Sequence, residues 1–218
     1  MTVAVFEADG RLRRAPAATA PAFLIVLLHG VGSSAAAMEP IAEALGQAFP
    51  EAAVTALNGY DASDLGGAGR QWFSVRGVTA ANRAGRVADA LPRVEALIGD
   101  EARHWGLDLS RTVVVGFSQG AIMGLALASS SARPPRAVVS LAGRVALPVA
   151  PGPGPRPPVL LSHGTSDPVM PLAELDIARD ALTKAGCAVE VQTIPSLVHA
   201  IHPQQIVRAI QFIKAVTG

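Results

Sequence analysis

The chain has 218 residues, half of them hydrophobic and 16% charged, with a formal net charge of +1. That length fits one α/β domain of about 200–250 residues, with enough apolar material for a sheet buried on both faces. Balanced charge without long charge runs excludes a nucleic-acid surface and a polybasic membrane patch, and the lone Cys187 excludes an internal disulfide framework.

In chain order, residues 2–7 read as a short strand and Asp9-Gly10 as a turn. Arg11, Arg13 and Arg14 before the small and apolar stretch 15–28 have the outline of a secretory leader. The apolar run Phe23–Leu28 is too short to span a bilayer, however, and it leads directly into His29-Gly30-Val31-Gly32, a predicted part of the site. The expectation is an uncleaved cytoplasmic protein without membrane insertion. Ala15–Ala22 reads as a linker and Phe23–Leu28 as a strand buried on both faces. An amphipathic helix over Met38–Phe49, a strand over Ala52–Leu57 and a glycine-containing loop over Asn58–Gly69 follow.

Thr79–Trp105 has helical spacing at Val87, Leu91, Val94 and Leu97–Ile98, with Pro92 expected to kink the helix or to start a new segment. Arg111–Val115 reads as a strand, Ser118–Ser130 as a helix and Arg136–Leu141 as a strand. The proline- and glycine-rich stretch 149–158 reads as a surface loop. A strand over Val159–Ser162, a helix over Leu172–Ala185, a strand over Ala188–Ile194 and a helix over Pro203–Val216 complete the chain. Cys187 reads as a small buried residue. The alternation predicts a single α/β domain over 1–218: a mainly parallel twisted sheet with helices on both faces and no large lid domain.

Gly116-Phe117-Ser118-Gln119-Gly120 lies between the β-branched run Thr112–Val115 and the helix-forming run Ala121–Ala128. In that context G-x-S-x-G is the nucleophile elbow of an α/β-hydrolase. The strand must reverse into the helix within one residue, which places the serine hydroxyl above the sheet edge and at a helix N-terminus. Ligands of open parallel sheets bind beyond the carboxyl ends of the strands. Asp167 follows the strand at 159–162 and His199 follows the strand at 188–194, so Ser, Asp and His occur in the order of such triads.

The chemistry requires all three. A serine hydroxyl needs a base to take its proton, and the imidazole needs a carboxylate to fix its tautomer. Ser118 is the predicted nucleophile, His199 the general acid/base and Asp167 the orienting carboxylate. His202, at the predicted helix start, is the weaker rival for the base. Asp176 and Asp180 read as a solvated helix face, and His29 and His163 as partly buried histidines bonded to loop backbone. The oxyanion needs about two donors; Gln119 N–H and Val31 N–H are the candidates. No metal-ligand spacing and no phosphate-loop motif is present, and no cofactor is implied.

Leu27–Gly32, Gly69-Arg-Gln-Trp-Phe-Ser74, Gly116–Ala121, His163–Val169 and Val198-His-Ala200 together resemble the phospholipase/carboxylesterase family, which includes acyl-protein thioesterases. Within it, Gly-Arg-Gln-Trp-Phe-Ser is most similar to the YpfH-type bacterial esterase branch. The resemblance covers residue 23 to the C-terminus. It implies cofactor-free hydrolysis of carboxylic or thiol esters by the residues named above. It also implies that Trp72 and Phe73 line the acyl pocket, for which core packing is the alternative. The expected pocket combines residues of 58–74 with Met123, Val169 and Met170, and serves short to medium acyl groups. One departure is Val198, which stands where the family has glycine and bears on how His199 is presented. The competing functions are a thioesterase using the same residues and a non-catalytic ligand-binding protein on the same scaffold. A homodimer is compatible with apolar residues at a pocket mouth.

Overall fold

The computed structural model describes residues 4–149 and 154–218. The chain runs through β1 (Val5–Phe6), β2 (Leu12–Arg14), β3 (Phe23–Leu28), a 3₁₀ turn at Ala35–Met38, α1 (Glu39–Ala48) and β4 (Ala52–Leu57). There follow the short strands β5 (Asp61–Ala62) and β6 (Arg70–Gln71), the long helix α2 (Ala80–His104), β7 (Thr112–Phe117) and α3 (Gln119–Ser130). The remainder comprises β8 (Ala137–Leu141), β9 (Val159–Gly164), α4 (Ala173–Lys184), β10 (Val189–Ile194) and α5 (Pro203–Thr217).

Among the described residues, eight strands form one sheet in the order β1-β2-β4-β3-β7-β8-β9-β10. From β4 to β10 every pairing is parallel, whereas β1 and β2 join antiparallel at one edge. Alternate residues of a strand face opposite sides. In β3, Leu24, Val26 and Leu28 pack with Val94 and Ile98 of α2, Ile122 of α3 and Leu175 of α4. Phe23, Ile25 and Leu27 pack on the other face with Ile41 and Leu45 of α1 and Phe212 and Ile213 of α5. This double burial explains why β3 reads as an unbroken apolar run. Almost every residue of α3 is buried, as expected of a helix that is apolar all round.

Arg13 and Arg14 lie in β2, which pairs with β4 through Leu12, Arg13 and Arg14, while Arg11 directly precedes it. Two expectations need correction. Pro92 neither ends α2 nor divides it, because the helix runs unbroken from Ala80 to His104. Its start is fixed by a capping box, in which Thr79 Oγ1 accepts from Asn82 N–H and Asn82 Oδ1 accepts from Thr79 N–H. Packing of Val87, Val94 and Ile98 into the core holds both halves in register across the proline. The loop at 58–69 contains a strand, since β5 pairs with β6 as a small hairpin. Of the predicted first strand, residues 2 and 3 lie outside the described residues, and so do 150–153 of the proline-rich loop. No described helix is long and apolar enough to cross a membrane.

Candidate active site

The sheet delivers Ser118, Asp167 and His199 to the carboxyl ends of β7, β9 and β10. Ser118 sits between β7 and α3 with φ 53° and ψ −114°, in the left-handed half of backbone space that a side chain disfavours. A Cβ on Gly116 would overlap the Gly120 carbonyl, and one on Gly120 would overlap the Leu28 carbonyl of β3. The two glycines therefore let strand, elbow and helix close on one another. Ser118 N–H donates to Leu141 O of the neighbouring strand at 2.9 Å, which anchors the turn.

His199 bridges the other two groups. Its Nε2 lies 2.8 Å from Ser118 Oγ, and its Nδ1 lies 2.7 Å from Asp167 Oδ2. The second carboxylate oxygen, Asp167 Oδ1, accepts the Val169 and Met170 amides, each at 2.8 Å. Burial pushes this carboxyl up, but the amides and His199 outweigh it and hold Asp167 below the usual carboxylate range. An ionised Asp167 places the imidazole proton on Nδ1 and leaves Nε2 free to accept the Ser118 hydroxyl.

The two loops that carry the acid and the histidine are stitched together. Ser166 N–H donates to Leu197 O at 3.0 Å, and Ser196 N–H to Thr165 Oγ1 at 2.9 Å. Val198 is 55% exposed and leaves the His199 contacts intact. Its branched side chain points to water and does not crowd the ring.

The rival groups are engaged in other bonds. His202 caps α5, with its Nδ1 accepting Gln204 N–H at 3.2 Å. Asp176 and Asp180 pair with Arg179 on the outer face of α4. His163 is buried, and its Nε2 bonds Met170 O at 2.6 Å, 3.9 Å from Asp167 Oδ2. Cys187 is buried, and burial pushes its thiol up.

Val31 and Gln119 flank the elbow from the β3 loop and from the first residue of α3. Among the described residues, neither amide has a backbone acceptor. The Gln119 side chain makes bonds that sequence reasoning missed. Its Oε1 accepts Trp72 N–H at 2.8 Å, and its Nε2 donates to Phe73 O at 2.7 Å. Gln119 is 2% exposed. It thus clamps the backbone of the Trp-Phe segment onto the elbow. The available signal was a single amide side chain at the start of an otherwise apolar helix.

Next to this clamp, Gly32 N–H donates to Arg70 O at 3.0 Å and Arg70 N–H to Ser33 O at 2.7 Å. The β5–β6 hairpin is therefore zipped to the loop that carries Val31. Gly69 permits this, because a Cβ there would overlap Gly32 O.

A cleft of about 510 Å³ opens over Ser118 and His199. Val31, Ala37, Met38, Leu65, Phe117, Val169 and Ile201 line it, with no Asp, Glu, Lys or Arg among the described residues. A larger groove of about 1470 Å³ runs between α2 and residues 130–136 and 154–158, remote from these groups. Of the five residues expected to line the pocket, Val169 does so, and Leu65 represents the 58–74 segment. Trp72, Phe73, Met123 and Met170 are 1%, 6%, 0% and 7% exposed and pack in the α2/α3/α4 core.

Trp72 is a strut: its Nε1–H donates to His29 O at 2.8 Å, and its ring lies 5.1 Å from the His29 ring. Trp72→Phe is expected to cost about 1–2 kcal/mol through the unpaired carbonyl, read as a lower denaturant midpoint. The acyl chain-length preference should stay as it is. A shifted preference would put the indole in the substrate pocket.

A parallel sheet with a serine on a strained strand-to-helix turn, bonded to a histidine and a carboxylate from later strand ends, defines an α/β-hydrolase. The profile of the phospholipase/carboxylesterase family matches residues 15–217. The chain is 38% identical over 181 residues to esterase YpfH of Escherichia coli (strain K12), covering 82% of this chain and 76% of that one. It is 28% identical over 184 residues to acyl-protein thioesterase 1 of Yarrowia lipolytica (strain CLIB 122 / E 150), covering 77% and 79%. Among solved structures it resembles esterase PE8, with TM-score 0.85, 25% identity and coverage of 94% and 97%. A carboxylesterase from Mesorhizobium loti has the same fold, with TM-score 0.80 at 20% identity over 97% and 98% of the chains. The chain belongs to the phospholipase/carboxylesterase family, and it is an esterase-class enzyme.

Proposed function

We propose that this enzyme hydrolyses carboxylic esters of short to medium acyl chains through an acyl-enzyme on Ser118. The observation that carries the reading is the unbroken hydrogen-bond relay from Ser118 Oγ through His199 to Asp167, at the floor of a cleft that no described Asp, Glu, Lys or Arg lines. Ser118 Oγ attacks the ester carbonyl while its proton passes to His199 Nε2. The carbonyl oxygen becomes an oxyanion held by the Val31 and Gln119 amides. Collapse breaks the bond to the leaving oxygen, which takes the proton from His199. Water then attacks the acyl carbon, gives a proton to His199 and releases the acid, and the proton returns to Ser118. Asp167 stays ionised throughout and stabilises the imidazolium.

The apolar lining fits an acyl chain, and the exposed Leu65 and Val169 at the mouth leave the leaving group in water. A thioester meets the same atoms, so esters and thioesters are distinguished by rate. The test is a p-nitrophenyl series from acetate to laurate beside matched oxygen and thiol esters, with a fluorophosphonate to trap the nucleophile. The expected results are an optimum below laurate, faster turnover of the oxygen ester and one covalent adduct on the peptide carrying Ser118. An adduct elsewhere, or a folded protein without ester turnover, would refute the proposal.

A further inference from the structure

We propose that His29 is a positioning residue that presets the Val31 amide as an oxyanion donor. The inference rests on the hydrolase reading above and deepens it. His29 follows β3 directly and is completely buried. Its Nε2 accepts the Gly59 amide at 3.1 Å, so that nitrogen carries no proton. The proton is on Nδ1, which lies 2.7 Å from Gly30 O and donates to it. Ser33 N–H also donates to Gly30 O, at 3.2 Å. A histidine that both accepts and donates is held in one tautomer. Burial pushes its pKa below the ordinary histidine range, which keeps the ring neutral.

The geometry of the peptide group completes the argument. The Gly30 carbonyl and the Val31 N–H belong to the same trans peptide, so they point in opposite directions. Holding the oxygen against the buried imidazole turns the N–H towards the cleft, which Gly30 and Val31 line beside Ser118. Among the described residues that N–H has no backbone acceptor. Through Gly59 the same ring also ties the start of the hairpin segment to the oxyanion loop. The His29 backbone carbonyl takes the Trp72 indole N–H, which fixes the main chain that carries the ring.

The test uses three substitutions with separable bonds. His29→Asn keeps a donor near the Nδ1 position, His29→Gln keeps an acceptor near the Nε2 position, and His29→Leu keeps neither. For His29→Leu and His29→Gln, kcat is expected to fall about 10²–10³-fold, as when one oxyanion donor is lost, with KM little changed. The affinity of a trifluoromethyl ketone, whose hemiketal oxygen occupies the oxyanion position, should fall by the same factor. His29→Asn should recover most of both losses.

A purely structural role would lower Tm without a kcat loss that tracks ketone affinity. If His29→Gln keeps kcat within about threefold of the parent, or loses only KM, the proposal is overturned and the hydrolase reading stands. The Asn and Gln pair decides the matter even if His29→Leu does not fold. Full activity in Ser118→Ala would overturn the hydrolase reading, and this inference with it.

Discussion

Ser118→Ala is expected to lower kcat by about 10⁴–10⁶-fold and to abolish the fluorophosphonate adduct while the fold is kept. The size follows from the loss of the covalent route. Without Oγ, His199 has no nucleophile to activate, and residual turnover depends on the oxyanion donors and binding alone. Stability should hold or rise, because the substitution removes a hydroxyl from a strained turn and leaves the flanking glycines in place. His199 Nε2 loses its 2.8 Å partner but faces a cleft open to water. The measurements are kcat on a p-nitrophenyl ester, adduct mass and Tm. Retention of wild-type kcat by the folded variant would eliminate Ser118 as nucleophile.

The second large effect concerns stability and lies at the β1–β2 side of the sheet. The Glu101 side chain is fully buried near the end of α2. It accepts Arg11 Nη1 at 2.7 Å, Arg13 Nε and Nη2 at 2.8 Å, and the Thr55 hydroxyl and Trp105 indole N–H at 2.9 Å. One carboxylate thus joins the β1–β2 edge, β4 and the end of α2. Burial by itself would raise its pKa, but the bonds from Arg13, Arg11 and Thr55 outweigh burial and hold it at about 2.

Glu101→Ala takes this shared buried partner from two guanidinium groups, a hydroxyl and an indole, while Arg11 keeps Asp9 at 2.6 Å and Arg13 keeps Glu7 at 3.5 Å. Removing one member of a buried pair costs about 3–5 kcal/mol, and the lower end applies because both arginines reach some water. At about 2–4 °C per kcal/mol for a chain of this size, Tm should fall by roughly 6–12 °C. A fall under about 2 °C would show the cluster to be energetically idle.

The same carboxylate predicts a pH dependence of stability. A folded-state pKa lowered from 4.5 to about 2 contributes stability that is complete above the unfolded value and is lost as pH falls towards 2. Wild-type stability should therefore drop between pH 4.5 and 2 more steeply than that of Glu101→Gln, which cannot titrate there. Parallel profiles would refute the assignment.

The elbow is legible in the chain because its requirements are local. Gly116 and Gly120 lie two residues from Ser118, and β7 and α3 declare themselves by composition on either side. The placement of Asp167 and His199 follows from parallel order, since every parallel strand ends on the same side of the sheet. The Glu101 cluster was not legible. Its arginines lie 88 and 90 residues away along the chain, and nothing near them in sequence points to a buried carboxylate. The cleft lining was equally hidden, because whether Trp72 faces substrate or core depends on the Gln119 clamp, 47 residues away.

By itself, then, the sequence determined what short-range chemistry determines. That comprises the strands of the parallel sheet and their apolar run lengths, the strained serine turn, and the order of the three candidate catalytic groups. Only the tertiary structure decided that α2 continues through Pro92, that Arg11 and Arg13 answer a buried carboxylate, and that His29 faces the oxyanion loop. The reason is common to all three. Each outcome is set by a partner distant in sequence, whose packing energy outweighs the local preference of the residue concerned.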